Sequence, residues 1–252
     1  MLGIQIYTVR DLITDEASAI QTIKELQNIG YEAIQLAGGI DTVILHANAA
    51  KKCGMKVIGI LTSLETCKEY GQKLIEIARE LGAKDIGISG AAKTAEEARA
   101  LASDANEFAA CVKKAGLSFS YHNHSHEFIR VEQDKTVMDI LLEEFDKNNV
   151  DLMPDTYWLQ HGGADVRDFV DRYADRITIL HVKDMKRIAD GVTFAEVGEG
   201  NLTMRGITAE ARKKGIGIYI VEQDRCDGDP LYSAKVSYDN LAKILEINNS
   251  NF

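Results

Sequence analysis

Several things are scarce in this 252-residue sequence, and each scarcity removes a class of protein. Basic residues are outnumbered: Lys plus Arg is 29 against 39 for Asp plus Glu, a formal net charge of -10. No local basic patch offsets that charge, so the chain as a whole repels nucleic acid and anionic membranes. Cysteine occurs four times, at Cys53, Cys67, Cys111 and Cys226, widely scattered and with no CxxC spacing. Such a set neither staples a small secreted fold nor builds a zinc site by itself, and reduced thiols in a cytoplasmic protein are the expectation. No stretch of about 18 apolar residues occurs. The opening Met1 to Asp11 lacks a basic region followed by an apolar one, so neither export nor a membrane span is expected. There is no GxGxxG after the first apolar run, no Walker loop and no GxSxG elbow.

What is present is ordinary globular composition, 45% hydrophobic and 27% charged, in a chain long enough for a large core. Short apolar runs alternate with segments of helical period from Leu2 onward. The expected strands are Leu2 to Val9, Glu32 to Ala37, Lys56 to Thr62, Asp85 to Ser89, Ser118 to His122, Asp151 to Asp155, Ile177 to Val182 and Gly217 to Glu222. Between them the amphipathic stretches are Ala17 to Ile29, Val43 to Cys53, Cys67 to Leu81, Ala95 to Ala115, Val137 to Lys147, Val166 to Tyr173, Ile207 to Lys214 and Asn240 to Ile247. Five of these stretches run into a glycine just before the next strand, at Gly30, Gly54, Gly82, Gly116 and Gly215, where the left-handed C-cap geometry is needed. About eight βα units across residues 1–252 predict an α/β chain in one domain, a (β/α)8 barrel, with an open doubly wound sheet as the minority alternative.

A barrel places its chemistry at the C-terminal strand ends. The fifth to eighth runs close on polar clusters there: Tyr121-His122-Asn123-His124, Met153-Pro154-Asp155, Leu180-His181-Val182-Lys183-Asp184 and Val221-Glu222-Gln223-Asp224. Two-residue alternation puts His181 and Glu222 on the face of the apolar residues that precede them, and Asp155 on the side of Met153 and Asp151. Carboxylates and imidazoles at one mouth suit a divalent ion of borderline hardness, so Asp155, His181 and Glu222 are the candidate ligands. Taken singly, each could be a plain loop cap; His46, inside a helical segment, is read as structural and His161 is left open. Gly198-Glu199-Gly200 offers amides for an anion, although a turn is the more economical reading. Pro154 fits only if its strand is already ending.

Together with Leu2 to Arg10, His126 to Phe128, Asp155 to Trp158 and Glu196 to Gly200, these clusters resemble the sugar phosphate isomerase/epimerase superfamily, the xylose isomerase-like TIM barrels also called AP endonuclease family 2. The resemblance spans nearly the whole chain. It implies a metal held by Glu, Asp, His and Glu on strands five to eight, which carries over to Asp155, His181 and Glu222. The first position departs from the pattern, with His122 standing where many members have Glu and Glu127 five residues later. Two metal-bound glutamates serve epimerisation in that superfamily, so the departure weakens a symmetrical proton exchange.

The resemblance implies a divalent-metal enzyme (Mn, Co or Zn, with Mg admissible) that isomerises or epimerises a keto-sugar, glycoside or polyol by removing a proton beside a carbonyl. Dehydration or β-elimination on the same substrates is the alternative, and a non-catalytic sugar-binding barrel is the alternative of another class. Abasic-DNA cleavage is disfavoured by the charge. His124 or Glu222 would move the proton, Lys183 would neutralise oxyanion charge unless it merely pairs with Asp184 or Glu199, and Gln5, Tyr7 and Trp158 would position hydroxyls. Trp158 would otherwise anchor a packed loop. The expected partner is a small carbohydrate, preferably unphosphorylated, with a homo-oligomer open and neither nucleic acid nor membrane expected.

Overall fold

The structure is a computed structural model that describes residues 1–249, with side chains through Glu246. Eight parallel strands form its centre: β1 (Leu2–Gln5), β2 (Ala33–Ala37), β3 (Lys56–Ser63), β4 (Asp85–Ser89), β5 (Ser118–His122), β6 (Asp151–Met153), β7 (Leu180–Val182) and β8 (Tyr219–Val221). Their hydrogen-bonded order runs β6-β5-β4-β3-β2-β1-β8-β7. The ring is completed between β6 and β7 by two isolated parallel bridges, Leu152 with Ile177 and Asp155 with His181. Helices α1 (Glu16–Ile29), α2 (Ile40–Cys53), α3 (Leu64–Glu80), α4 (Ala95–Lys114), α5 (Val137–Glu144), α6 (Thr156–His161), α7 (Val166–Tyr173), α8 (Met204–Lys213) and α9 (Pro230–Asn249) surround it. This is the (β/α)8 barrel that the alternation of runs predicts. No helix among the described residues is long and apolar enough to cross a membrane.

Two apolar layers hold the fold. Outward-facing strand residues such as Ile4, Ile34, Leu36 and Ile60 pack with helix residues such as Ile23, Leu26, Val43 and Leu74 into one cluster. Ala33, Ile58, Met153, Ile179 and Ile220 form a second cluster within the bore. The bore is crowded enough to demand a glycine: a Cβ on Gly3 would lie 2.7 Å from the Ile220 side chain and 2.9 Å from the Ala33 carbonyl oxygen. Above the plug the inward positions turn polar, which sets the site at the C-terminal mouth.

Local signals explain the element ends. Asp15, Thr94 and Thr136 open α1, α4 and α5 with reciprocal capping boxes. The five glycines expected to close helices all have positive φ, and Gly54 is the αL cap of α2, its amide reaching back to Ala50 and Lys51.

Several boundaries differ from expectation. The first strand stops at Gln5, and Ile6–Leu12 is a 3₁₀ helix. Ile6 and Val9, both buried, are three apart, which is the period of that helix, while the Arg10 guanidinium ties the turn to the Tyr7 and Asp224 carbonyls. Helix α9 begins ten residues before the expected start: Leu231, Ala234 and Tyr238 continue the apolar stripe of Leu241 back toward Pro230, and Ser233 and Ser237 on the same stretch bond Glu196 and the Val197 amide. Two hairpins go beyond the eight-unit pattern. One pairs Asp184–Ile188 with Gly191–Ala195; the other pairs Arg130–Glu132 with Lys135–Thr136.

Candidate active site

The four strand-end side chains converge. His122, Asp155, His181 and Glu222 are all buried, and one donor atom from each lies within 4.8 Å of the others. His122 closes β5 and His181 lies mid-way through β7, while Glu222 follows β8 immediately and Asp155 stands one residue beyond β6, after Pro154. Asp155 also caps α6: its Oδ1 accepts the Trp158 amide at 2.9 Å, and its own amide donates to Asn123 Oδ1. That leaves Oδ2 free to act elsewhere. His122 Nδ1 and Asp155 Oδ2 are buried without a hydrogen-bond partner.

Polarity in the cluster is fixed from a backbone amide outward. The Tyr7 N–H donates to Gln5 Oε1, Gln5 Nε2 donates to Gln35 Oε1, and Gln35 Nε2 donates to Met153 Sδ. Gln35 Oε1 can then only accept from His181 Nε2, at 2.8 Å, so that nitrogen carries a proton. Nδ1 is left 2.8 Å from Glu222 Oε2. Two acceptors at that distance call for a positive charge between them, a proton or a metal ion. The donor set of two imidazoles and two carboxylates fits a borderline divalent ion; His122 turns its Nε2 to within 4.0 Å of Glu222 Oε2, and Asp155 brings an unpartnered Oδ2 to the same group.

Lys183 supplies the fixed cation. Its Nζ, almost wholly buried, lies 2.9 Å from Asp224 Oδ1, 3.3 Å from Glu222 Oε2 and 3.0 Å from Asp155 Oδ2, the last without the alignment of a hydrogen bond. Burial alone would neutralise it, but the three carboxylates outweigh burial and hold the ammonium above its ordinary pKa. Burial pushes Asp155 up to about 7 against the pull of Lys183. Burial acts on Glu222 in the same direction, yet Lys183 and His181 together keep its carboxyl well below the usual range. Of the two, Glu222 is the one held ionised. Burial, then Lys183, lowers His124 to about 4, leaving a neutral imidazole at pH 7.

A cavity of about 570 Å³ opens above the cluster, within the range of small-molecule sites. Its walls include Tyr7, Gly38, Thr62, Ser63, Thr66, Ser89, His124 and Asp224, with His122 and Glu222 at the floor.

The other sequence candidates fall into place around it. Tyr7 lines the cavity. Gln5 does not: it is fully buried and its amide is consumed by Gln35, so the expectation that it meets a substrate hydroxyl is corrected to support beneath His181. Trp158 stands beside Lys183 and His124 and packs on Tyr157, His161 and Phe194 of the first hairpin, the anchoring alternative. Lys183 pairs with Asp155, Glu222 and Asp224 and not with Asp184 or Glu199. Asp184 instead takes the Gly198, Gly200 and Leu202 amides, so the glycine loop serves an internal carboxylate. Glu127 faces Tyr121, His124 and His126, outside the four-residue group. Gln35 escaped sequence reading, although a polar residue between Ala33 and Ala37 on the bore side of an apolar strand was its signal.

Similar proteins agree with this architecture. Inosose dehydratase of Mesomycoplasma hyopneumoniae (strain 7448) is 25% identical over 269 residues, 89% of this chain and 88% of that protein. Inosose dehydratase of Clostridium perfringens (strain 13) is 28% identical over 92 residues, 36% of this chain, and the matched part spans only 30% of that enzyme's length. Among solved structures, a sugar phosphate isomerase/epimerase from Parabacteroides distasonis superposes with a TM-score of 0.79 at 22% identity, covering 96% of this chain and 97% of that one. The IOLI protein with a bound zinc atom gives 0.75 at 13% identity, covering 98% of each chain. The probable 3-DHS dehydratase AsbF of Bacillus anthracis gives 0.72 at 15%, covering 96% and 98%. At these identities the likeness shows the fold. Residues 23–244 match the model of the xylose isomerase-like TIM barrel, and the chain belongs to that family.

Proposed function

We propose that the chain is a divalent-metal-dependent enzyme that removes a proton beside the carbonyl of an unphosphorylated polyhydroxy ketone, and that water is then lost from the adjacent carbon. The observation that carries this reading is the convergence of His122, Asp155, His181 and Glu222 on one centre with the Lys183 ammonium against it. An ion held by those four residues would act as a Lewis acid toward a carbonyl and a neighbouring hydroxyl oxygen. Glu222, ionised by its cationic neighbours, takes the α-proton. Lys183 offsets the charge that develops on the carbonyl oxygen. The β-hydroxyl leaves with the proton Glu222 has taken, so one base serves both halves of the elimination and water is the product. His124 at the cavity wall is the second candidate to move a proton.

The resemblance alone places isomerisation ahead of elimination; two considerations favour the reverse. Epimerisation needs a base on each face, and His122 stands where the second glutamate would be. The relatives matched in sequence are named inosose dehydratases. An unphosphorylated substrate is favoured by cavity walls of hydroxyls and carboxylates, without Arg or Lys among the described residues that line it. Incubating the metal-loaded protein with an inosose and with free ketohexoses in deuterated water tests the proposal. Solvent deuterium beside the carbonyl and a dehydrated product are expected, both lost in Glu222→Gln. Exchange accompanied by an epimer and no water loss would move the assignment to isomerase; no exchange with any of these ketones would overturn proton abstraction.

A further inference from the structure

The loop after β5 gathers a second set of ligating side chains that the proposed reaction does not need together. His124, His126 and Glu127 each bring one donor atom within 4.8 Å of the others. Glu127 is completely buried and rigidly held: its Oε1 accepts the Tyr121 hydroxyl and its Oε2 the His124 amide, each at 2.9 Å. Each carboxylate oxygen retains a lone pair. His124 Nδ1 and His126 Nε2 are shut off from solvent and have no hydrogen-bond partner. The two imidazoles lie nearly parallel, 18° apart, with centroids separated by 5.6 Å.

One separation is informative. His126 Nε2 stands 3.4 Å from Glu127 Oε1 without forming a hydrogen bond. A charge-assisted pair closes to about 2.7–2.9 Å. Two ligands of one tetrahedral zinc, each bonded at about 2.0–2.2 Å, stand about 3.4 Å apart. The side chains are therefore spaced for a shared ion, with the carboxylate oriented by the hydroxyl and amide that support ligating groups elsewhere.

We infer that His124, His126 and Glu127 form a second site for a borderline transition ion of the zinc, cobalt or nickel class, distinct from the four-residue group. Two imidazoles and one carboxylate disfavour Mg and Ca, which prefer oxygen ligands. His126 reaches the surface, its side chain 23% exposed, and gives the ion an entry path. His124 lines the substrate cavity, so an ion here occupies an imidazole that substrate would otherwise meet. Excess metal should then slow turnover, a consequence that rests on the function proposed above.

Zinc titration of the chelator-stripped protein, followed by calorimetry, tests the site without reference to activity. The wild type should take up two equivalents, His126→Ala one, and Asp155→Asn one. His126→Gln, which keeps a polar side chain at this partly exposed position, should reproduce the alanine result if the smaller residue disturbs folding. A wild type that binds a single equivalent, kept in both His126 variants and lost in Asp155→Asn, would overturn the second site and leave the four-residue centre standing. A single equivalent lost in the His126 variants and kept in Asp155→Asn would uphold the second site and overturn the four-residue centre. Two equivalents in every variant would overturn the second site.

Discussion

Asp85 is a buried carboxylate with little to compensate its burial. It lies in the bore near the N-terminal end of the barrel, where Ser120 donates to its Oδ1 while Oδ2 has no partner. Burial raises its carboxyl from 3.8 to about 7. Below pH 4 it is protonated folded and unfolded alike, and it costs nothing through ionisation. Between pH 4 and 7 only the unfolded chain ionises, so folding stability falls as pH rises, by about 4 kcal/mol at 1.36 kcal/mol per unit, and stays down above pH 7. Asp85→Asn removes that slope. In urea unfolding, the variant's stability relative to wild type should climb from pH 4 to 7 and then level off; parallel curves would show that Asp85 titrates normally. Parity marks Asp85 as an inward-facing residue from sequence, but the missing partner for Oδ2 depends on what other strands deliver to the same level.

At the scale of elements, the joint between β6 and β7 depends on a side chain. Thr156, the first residue of α6, is fully buried; its Oγ1 donates to the Lys183 carbonyl at 2.7 Å and accepts the Lys183 amide at 2.9 Å. It stands in for a strand rung and fixes the backbone that carries Lys183. Thr156→Val keeps the shape but strands both backbone groups, at a cost on the order of 3 kcal/mol. Chemical denaturation should show that loss; a change within a few tenths would mean that water or another group replaces the hydroxyl. Elements built from repeating patterns were legible in the sequence: the eight strands, the glycine stops, and the parity that aims Asp155, His181 and Glu222 at one mouth. Elements held by particular polar contacts were not. The 3₁₀ turn after Gln5 and the hairpin that sets Phe194 on Trp158 each depend on partners far away in the chain. Gln35 escaped for a related reason, because its meaning lies in Gln5 and His181 on other strands.

For the whole molecule, the proposed ion links chemistry to stability. Ligands that bind only the folded chain stabilise it by about 2.7 kcal/mol at a hundredfold excess over Kd. In a chain of this size that corresponds to a rise in Tm of roughly 5–10 °C. Calorimetric melting with and without chelator should show such a shift, and Asp155→Asn should abolish most of it. An unchanged Tm would argue that the four side chains do not share an ion. The net charge of -10 works in the same direction, since cations reduce self-repulsion, but this contribution is diffuse and is screened by added salt.

The barrel's closure has one further effect. β6 and β7 meet through only two bridges, and the pair nearer the mouth is Asp155 with His181. An ion gripped by both would rivet the thinnest seam of the ring. Stripped of it, the seam should breathe: the backbone hydrogens of Thr178 and His181, bonded to Leu152 and Pro154, should exchange with deuterium faster, while those of β2 and β3 stay protected. Loading the ion and shutting the staves would then be a single event.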